Sequence, residues 1–383
     1  AGEPAADLPT ADGDGVMNDT IASPKQPVRS TSSVGIADCD IHPALKDRYG
    51  LYPYMSKRWR DHLDQYGELG FEAFTSGYNY DGSNPMSCRR DAWPDGGLPG
   101  SDLALMRKQH LDPNNVVFGV LQPMVGLPNG GRNLDLSNVL STAINDWQIT
   151  EFVEPEDRLR ASVVVVPDDV VAAVAEIEKR ALDARFVQVE IFAGTTEPLG
   201  HRRYRPILEA ATHHGFPIGM HIGGRAGART ASGWPSYYCE DHLDLTFAAH
   251  SQIMSLILDG VFDQLPSLKV IIIECGCTWS IGLGHRLDML WRRMGSEVAS
   301  LKHPPSQYLR KHFYFSTQPV EEPDNSEELD YLFDQIGWDK LLYASDYPHW
   351  DFDDPRYAFK ARISEEHKAM LFRENARNVY RSL

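Results

Sequence analysis

The sequence predicts an α/β protein in which eight parallel strands, each followed by helical sequence, close into a (β/α)8 TIM barrel. Two observations support this fold. Eight short β-rich segments alternate with helical segments, and several of the strands are almost continuous hydrophobic runs, such as residues 162–166 and 270–273. Strands that are buried on both faces have this composition, which indicates a parallel sheet covered by helices.

The predicted strands and helices follow one another in a regular order. The strands are residues 35–42, 116–122, 161–166, 186–192, 217–222, 269–274, 312–317 and 341–346. The clearest helix begins at the acidic pair Asp168 and Asp169, a common N-cap, and continues to Arg180. Further helices are predicted at residues 204–214, 243–259, 280–294 and 365–380.

Two long insertions, residues 43–100 after the first strand and residues 223–243 after the fifth, interrupt this alternation. Both are rich in aromatic residues. Because both follow strands, we expect them to cover the C-terminal mouth of the barrel, where barrel enzymes bind their substrates. The second insertion supplies the candidate substrate-binding residues, which are Arg225, Arg229, Trp234, Tyr237 and Tyr238.

The bulk composition limits the domain organisation and the partners. The 383 residues carry a net charge of −17, from 54 Asp and Glu against 37 Lys and Arg, which disfavours nucleic acid and anionic membranes as partners. Residues 1–33 have no apolar stretch and predict a disordered leader rather than a signal peptide, followed by a single metal-dependent domain over residues 34–383. The cysteines are few and scattered, which indicates reduced thiols and therefore a cytoplasmic protein.

Acidic and histidine side chains interrupt the hydrophobic strands where the strands end. These candidate metal ligands are Asp40, His42, Glu190, His221, Glu274 and Asp346. Burying several acids together is costly unless a cation neutralises them, and the C-terminal ends of barrel strands meet at one mouth. A metal-dependent enzyme with its metal site at that mouth accounts for all of these positions at once.

Each of these residues also has a simpler explanation. A single strand-end histidine is often structural, a single aspartate often caps a helix, and Glu190 and Glu274 have arginines available for pairing, such as Arg202 and Arg225. His250 is a further candidate ligand, but it lies on an apolar helical face where a hydrogen-bonded core histidine is equally expected. Both interpretations of His250 stay open.

Three motifs carry a resemblance to a known family. They are Asp-Cys-Asp-Ile-His-Pro at residues 38–43, Pro-Ile-Gly-Met-His at residues 217–221 and Tyr-Ala-Ser-Asp-Tyr-Pro-His at residues 343–349. With them, residues 36–383 resemble the amidohydrolase-2 branch of the amidohydrolase superfamily, which includes aminocarboxymuconate-semialdehyde and γ-resorcylate decarboxylases. The resemblance implies a TIM barrel with metal-dependent chemistry, and it makes His349 of the third motif a residue that supports a metal ligand.

Three positions depart from the pattern of that family. Asp40 stands where the family has the first histidine of His-x-His, Glu274 replaces the usual sixth-strand histidine, and Glu190 stands where dinuclear members place a metal-bridging group. The resulting set of carboxylates, with two or three imidazoles, suits iron or manganese better than a single zinc ion.

The altered ligand set resembles that of a small group of TIM-barrel non-haem diiron monooxygenases, those of platensimycin and platencin biosynthesis. This resemblance implies two Fe ions, with Mn or Zn as alternatives, and O2 as co-substrate. It also implies an external electron donor and hydroxylation of an apolar, CoA-linked substrate of diterpenoid type. A homodimer stays open.

The monooxygenase is the function we expect first, and two alternative functions remain. One is a metal-dependent hydrolase or non-oxidative decarboxylase, as in the parent family, with Asp346 as ligand or base. The loss of the sixth-strand histidine, which commonly serves as acid or base in that family, speaks against it. The other is a non-catalytic barrel that binds a ligand, and such a protein does not require so many buried acids.

Overall fold

The computed structural model describes residues 35–67, 88–124, 133–223, 236–244 and 246–381, with the backbone alone at residues 238 and 241. Within them, eight strands pair in parallel in their order along the chain. The strands are β1 (Ile36–Ile41), β2 (Val116–Leu121), β3 (Leu159–Val164), β4 (Phe186–Phe192), β5 (Ile218–His221), β6 (Val270–Ile273), β7 (Phe313–Ser316) and β8 (Leu341–Leu342).

The segment that begins with the last strand returns to the first, so the sheet closes. The backbone N–H of Cys39 donates to the carbonyl oxygen of Tyr343 at 3.0 Å, and that of Asp346 donates to the carbonyl oxygen of Asp40 at 3.1 Å. The described strands therefore form the α/β TIM barrel that the sequence predicts, and this prediction is confirmed.

Thirteen α-helices occur in the described residues. In chain order they are α1 (Lys57–Tyr66), α2 (Leu103–Met106), α3 (Leu134–Gln148), α4 (Val170–Arg180), α5 (Arg205–His213), α6 (Tyr238–Asp244), α7 (Thr246–Leu258), α8 (Val261–Gln264), α9 (Trp279–Met294), α10 (Pro305–His312), α11 (Glu327–Ile336), α12 (Glu365–Ala369) and α13 (Asn375–Val379). Helix α4 begins where predicted, because the Asp169 side chain accepts a hydrogen bond from the backbone N–H of Ala172. The predicted helix at residues 365–380 is divided into α12 and α13 by a π-helical turn, Met370–Glu374.

The strands are buried on both faces, as their hydrophobic runs predict. Every residue of β4 and of β6 is buried. Outside the barrel, Ile177 of α4 and Ile207 of α5 are inaccessible to solvent and belong to the same core as Val189 and Ile191 of β4. This packing fixes the positions of the strand ends, and the strand ends carry the polar residues singled out in the sequence.

Both predicted insertions are present. Helices α1 and α2 lie between β1 and β2, and α6 follows β5. The predicted leader, residues 1–33, and three candidate substrate-binding residues, Arg225, Arg229 and Trp234, lie outside the described residues. None of the described helices is long and apolar enough to span a membrane.

Candidate metal centre

Five ionisable side chains meet at the carboxyl ends of four strands. Asp40 lies on β1 and His42 directly after it, while His221 ends β5. Glu274 follows β6 and Asp346 follows β8. All five are buried, with at most 6% of any of these residues exposed. The barrel thus brings together five of the residues that the sequence marks as metal ligands.

The ligand atoms of these side chains lie close to one another. The Nε2 atom of His42 is 3.1 Å from Asp40 Oδ1 and 3.0 Å from Asp346 Oδ1. The Nε2 atom of His221 is 3.1 Å from Glu274 Oε2. Two overlapping sets have all their ligand atoms within 4.8 Å of one another: Asp40, His42, His221 and Glu274, and His42, Glu274, Asp346 and His349.

Both imidazoles present Nε2 to this centre because Nδ1 is engaged elsewhere. His42 Nδ1 lies 2.9 Å from the backbone carbonyl oxygen of Gln122, and His221 Nδ1 lies 2.7 Å from that of Ile222. A carbonyl oxygen only accepts, so Nδ1 carries the proton of the neutral ring and Nε2 keeps its lone pair. Metal-binding histidines are typically oriented in this way.

Several polar atoms of the centre have no hydrogen-bond partner among the described residues. They are both carboxylate oxygens of Asp40, Nε2 of His42 and of His221, and Oε2 of Glu274. Leaving a buried polar atom unpaired costs about 1–3 kcal/mol. A cation bound between these atoms satisfies them together, and imidazole with carboxylate is a donor set that suits Mn²⁺ and related divalent ions. The residues present therefore fit a buried metal-binding site.

Two of the carboxylate residues have backbone conformations that L-amino acids rarely adopt. The φ angle is 55° at Glu274 and 59° at Asp346, in the left-handed region. Such conformations cost about 1–3 kcal/mol each and are found preferentially at functional sites. Each turns the chain sharply where a strand ends, and in both cases the residue at the turn belongs to the metal centre.

The pKa shifts in the centre reflect the crowding of buried carboxylates around two imidazoles. Burial raises the pKa of the Asp346 carboxyl well above its usual range, and the neighbouring Glu274 adds to this. Burial lowers the pKa of both imidazoles, but the nearby carboxylates raise it by more. For His42 the main carboxylate is Asp40, and the pKa rises well above its usual range. For His221 it is Glu274, and the pKa rises to about 9. The buried carboxylates therefore favour a positive charge at both imidazoles, which a proton or a metal ion can supply.

Glu190, the remaining strand-end candidate, lies on β4 and belongs to neither ligand set. Both of its carboxylate oxygens are buried without a hydrogen-bond partner among the described residues. Burial raises the pKa of Glu190 to about 8, against the opposing effect of His221 and His42. Glu190 is therefore a buried acid that is mostly neutral at pH 7 in the metal-free protein.

His349 supports Asp346, as the family resemblance implies. Its Nδ1–H donates to Asp346 Oδ1 at 2.5 Å, and its ring lies 4.4 Å from the ring of His42. Burial, together with the neighbouring His42, lowers the pKa of His349 to about 4, so the ring is neutral at pH 7. His349 thus orients a carboxylate of the centre.

Three further residues at the centre were missed in the sequence. His242 of α6 has its Nε2 3.8 Å from Glu274 Oε1 and 3.5 Å from Asp351 Oδ2. Gln318, after β7, donates from Nε2 to Asp351 Oδ2 at 3.0 Å and to Asp346 Oδ2 at 3.2 Å. Burial raises the pKa of Asp351 to about 7, and Asp346 and Glu274 add to this. Asp351 lies two residues beyond the third motif, which is a usable signal, whereas nothing in the sequence marks His242.

Other candidate residues are not brought into the centre. The ring of His250 stacks on Trp279 with 3.8 Å between the ring centroids, and His250 belongs to neither of the ligand sets that the described residues form. Its position therefore fits the interpretation as a packed histidine. Tyr237 is 67% exposed. For Tyr238 only the backbone, at the start of α6, is described.

Comparison with known proteins places the chain in a family and a fold. The family model described as amidohydrolase (Amidohydro_2) matches residues 37–382. Among solved structures, the chain is similar to the 5-carboxyvanillate decarboxylase of Sphingomonas paucimobilis, with 19% identity, a TM-score of 0.67, and 91% of this chain and 99% of that chain covered. None of the curated proteins matches the chain in sequence.

Two further solved structures contain manganese. The 5-carboxyvanillate decarboxylase of Novosphingobium aromaticivorans, in complex with manganese and 4-hydroxy-3-methoxy-5-nitrobenzoic acid, is 18% identical, with a TM-score of 0.68 and coverage of 90% of this chain and 96% of that chain. The dihydroxybenzoic acid decarboxylase of Polaromonas sp. JS666, with manganese and 2-nitroresorcinol, is 17% identical, with a TM-score of 0.62 and the same coverage, 90% and 96%. At such identities the similarity establishes the shared barrel fold.

The predicted function is corrected by these findings. The expectation of an O2-dependent diiron monooxygenase is wrong, because the similar solved structures are decarboxylases and amidohydrolases, several of the decarboxylases with manganese, and not oxidoreductases. The two Fe ions, O2 and the electron donor are therefore unsupported, and the resemblance to the diiron monooxygenases is not confirmed. The physical reason for the error is that a carboxylate-rich ligand set suits Mn²⁺ as well as iron, and so does not by itself indicate redox chemistry.

The broader resemblance is confirmed. The three motifs that carry it contribute Asp40, His42, His221 and Asp346 to the metal centre and add His349 beside it. With a family model that matches nearly the whole barrel, the chain belongs to the amidohydrolase family.

Proposed function

We propose that this chain is a metal-dependent, non-oxidative decarboxylase of a hydroxylated aromatic carboxylate. One observation carries the proposal: two imidazoles and three carboxylates, those of His42, His221, Asp40, Glu274 and Asp346, direct ligand atoms to one buried centre at the barrel mouth. The decarboxylases with the same fold support the reaction class, and the manganese in two of them supports Mn²⁺ as the metal.

The charge of the centre suits an anionic substrate once a divalent ion is bound. Without the ion, the carboxylates of Asp40 and Glu274 would repel the carboxylate of a substrate. A divalent ion held by His42, His221 and the neighbouring carboxylates would supply positive charge that favours binding of an anionic substrate and stabilises negative charge as CO2 departs. The chain's own ligands set where that charge lies, and burial of the centre strengthens its effect.

A decarboxylase must also deliver a proton. Breaking the carbon–carbon bond releases CO2 and leaves an electron pair on the ring carbon, which then takes up a proton. Asp351 and His242 are placed to hold that proton, since their side chains lie 3.5 Å apart beside Glu274. Gln318 keeps Asp351 in place through its 3.0 Å hydrogen bond. The His242 side chain is 21% exposed, so solvent can replace the proton after each turnover.

Hydrolysis is the second candidate, and the family membership favours it. In that reaction the pair formed by Asp346 and His349, whose atoms lie 2.5 Å apart, would accept a proton from an attacking water molecule. The two candidates share the metal centre and differ in the bond that breaks. Product analysis therefore distinguishes them.

The experiment is an anaerobic assay of the full chain, treated with EDTA and then reloaded with Mn²⁺. We expect CO2 release from at least one of 5-carboxyvanillate, 2,6-dihydroxybenzoate and 2-hydroxybenzoate, and none from the EDTA-treated protein. Asp346→Asn should be inactive while its far-UV circular dichroism stays that of the wild type. Glu365→Gln, a change at a residue whose side chain is 81% exposed, serves as the matched control and should retain full activity.

Two results would contradict the decarboxylase. One is turnover of ester or amide substrates without CO2 release, which would establish the hydrolase instead. The other is failure of the wild-type chain to bind Mn²⁺, Zn²⁺ or Fe²⁺ at all, which would remove the metal centre on which both candidates depend.

A further inference from the structure

A chain of buried hydrogen bonds lies behind the metal centre. Asn114 donates from Nδ2 to Nδ1 of His110 at 3.1 Å, so the proton of the neutral His110 ring lies on Nε2. That Nε2–H donates to Asp38 Oδ2 at 2.6 Å. Asp38 and His110 are 0% exposed and Asn114 is 3% exposed. None of the three belongs to the ligand sets of the metal centre.

The other oxygen of Asp38 joins the two chain segments that carry metal ligands. Asp38 Oδ1 accepts from the backbone N–H of Asp40 at 3.2 Å and from that of Ser345 at 2.9 Å. Ser345 directly precedes Asp346, whose own N–H donates to the carbonyl oxygen of Asp40 at 3.1 Å. A single carboxylate therefore holds the backbone at Asp40 and at Ser345, the residue before Asp346.

These residues do not form a nucleophilic triad. The Oγ atom of Ser345 lies 3.3 Å from Nε2 of His110, the same nitrogen that donates to Asp38. In a triad the carboxylate and the hydroxyl bind opposite ring nitrogens, whereas here the second nitrogen faces Asn114. Ser345 is also fully buried. The arrangement is suited to holding the backbone in place and not to attack on a substrate.

The surroundings of His110 keep it in one orientation. It lies in a π-helical turn, Arg107–Leu111, directly after α2. Its ring stacks on Tyr347 at 5.3 Å with only 8° between the ring planes, and it meets the ring of Phe352 edge-on at 5.4 Å. Such turns often occur at functional sites. Burying the Asp38 carboxylate would cost several kcal/mol without donors, and the donors it has are His110 and the backbone N–H groups of Asp40 and Ser345, at or beside metal ligands.

We propose that Asp38 and His110 are positioning residues that set the geometry, and through it the affinity, of the metal centre. They act through Asp40 and Asp346, whose Oδ1 atoms lie 3.1 and 3.0 Å from His42 Nε2. A small shift of either backbone segment changes both distances. The inference rests on the metal dependence of the proposed function, and it extends that function to residues that touch neither metal nor substrate.

The test is the Mn²⁺ affinity of the full chain, measured by an EPR titration of free Mn²⁺. Loss of a hydrogen-bond partner behind a metal ligand weakens metal binding roughly 10–100-fold. We expect a loss of this size in Asp38→Asn and in His110→Phe, with a changed EPR spectrum of the bound ion. His110→Gln, whose amide can still donate to Asp38, should restore most of the affinity. Equal affinity in the Phe and Gln variants would contradict a role for this hydrogen bond.

His312→Phe is the matched control. His312 is also buried, its Nδ1 lies 2.8 Å from the carbonyl oxygen of Leu268, and its ring stacks on Phe262 away from the centre. We expect this variant to bind Mn²⁺ as the wild type does. Thermal melting of the EDTA-treated proteins separates positioning from folding, because a purely structural role lowers Tm and leaves the affinity of the folded protein unchanged.

The outcomes separate this inference from the proposed function. If the wild type, Asp38→Asn and His110→Phe bind Mn²⁺ equally well, the inference is overturned and the proposed function stands. If the wild type binds no Mn²⁺, both are overturned. Should Asp38→Asn fail to fold, Asn114→Leu tests the same chain of hydrogen bonds, since it removes the donor to His110. Weaker Mn²⁺ binding in that variant supports the inference, and unchanged binding overturns it.

Discussion

The Nδ1 atom of His42 lies 2.9 Å from the backbone carbonyl oxygen of Gln122, and this hydrogen bond leaves the opposite ring nitrogen facing Asp40 and Asp346. The ring is therefore oriented as a ligand before any metal arrives. We expect His42→Phe, which keeps the ring volume and removes the ligand nitrogen, to lower the Mn²⁺ content of the purified protein to near zero, as measured by inductively coupled plasma mass spectrometry. A full complement of Mn²⁺ in this variant would exclude His42 as a ligand.

Metal binding should release protons. In the metal-free protein the carboxylate of Glu274 outweighs burial and raises the pKa of His221 to about 9, so its imidazole is protonated at pH 7. Only the neutral ring binds a metal, so protons compete with Mn²⁺ below that pKa. We expect Mn²⁺ affinity to rise with pH from 6 to 9, by up to about tenfold per pH unit for each proton released.

Titration calorimetry in two buffers of different ionisation enthalpy measures this proton release directly. The apparent enthalpy of Mn²⁺ binding should differ between the buffers in proportion to the number of protons released. Equal enthalpies in both buffers, together with an affinity that does not change with pH, would show that the imidazoles are already neutral in the metal-free protein.

The barrel and most of its metal centre were predictable because they depend on local patterns. A strand buried on both faces must be apolar, so a charged residue at its end is conspicuous, as Glu274 is after β6. Parallel strands then bring such ends together without further information. The same reasoning located His221 and Asp346, although the sequence does not show that the backbone at Asp346 is left-handed.

The remaining parts depend on contacts between distant segments. His242 reaches Asp351 from helix α6, more than a hundred residues away in the sequence, and neither residue interrupts a hydrophobic strand. His250 shows the same dependence on the fold. Its sequence surroundings allowed a ligand, but its ring packs on Trp279, and only the folded chain shows which neighbour it meets. The reaction was misjudged because the ligand types permit several metals.

Glu190 should make the metal-free protein less stable as the pH rises. Burial raises the pKa of this carboxyl to about 8 in the folded protein, above the ordinary value of 4.5. Between these values the unfolded chain has lost a proton that the folded protein retains, so the free energy of unfolding falls as the pH increases through this window. Glu190→Gln cannot ionise at this position. Between pH 5 and pH 8 its free energy of unfolding should therefore fall by about 1–3 kcal/mol less than that of the wild type.

Urea unfolding of the EDTA-treated wild type and Glu190→Gln at several pH values measures the difference. Identical pH dependence in the two proteins would mean that Glu190 is ionised in the folded state at neutral pH. The Mn²⁺ affinity of the same variant then decides whether Glu190 is a ligand, because the neutral amide of Gln binds Mn²⁺ more weakly than a carboxylate does. An unchanged affinity would exclude Glu190 from the ligand set.

Glu156 holds the segment that carries His110 against the start of β3. Its carboxylate accepts from Arg158 Nε at 2.7 Å and from Arg107 Nε at 2.7 Å, and Arg107 begins the π-helical turn that contains His110. The hydrogen bond from Arg158 is the main cause that lowers the pKa of Glu156 to about 2, although burial acts in the opposite direction. Because the folded-state pKa lies below the ordinary value of 4.5, the stabilisation is complete above pH 4.5 and is lost as the pH falls toward 2.

We therefore expect Glu156→Gln to lower the free energy of unfolding by about 1–3 kcal/mol at pH 7 and by much less near pH 2.5, as measured by urea unfolding at both pH values. Glu365→Gln is the matched control, because Glu365 pairs with Lys368 at 2.7 Å while its side chain is 81% exposed. An exposed pair of this kind contributes at most about 0.5 kcal/mol. A loss for Glu156→Gln that is equally large at both pH values would point to altered packing rather than to the charge of Glu156.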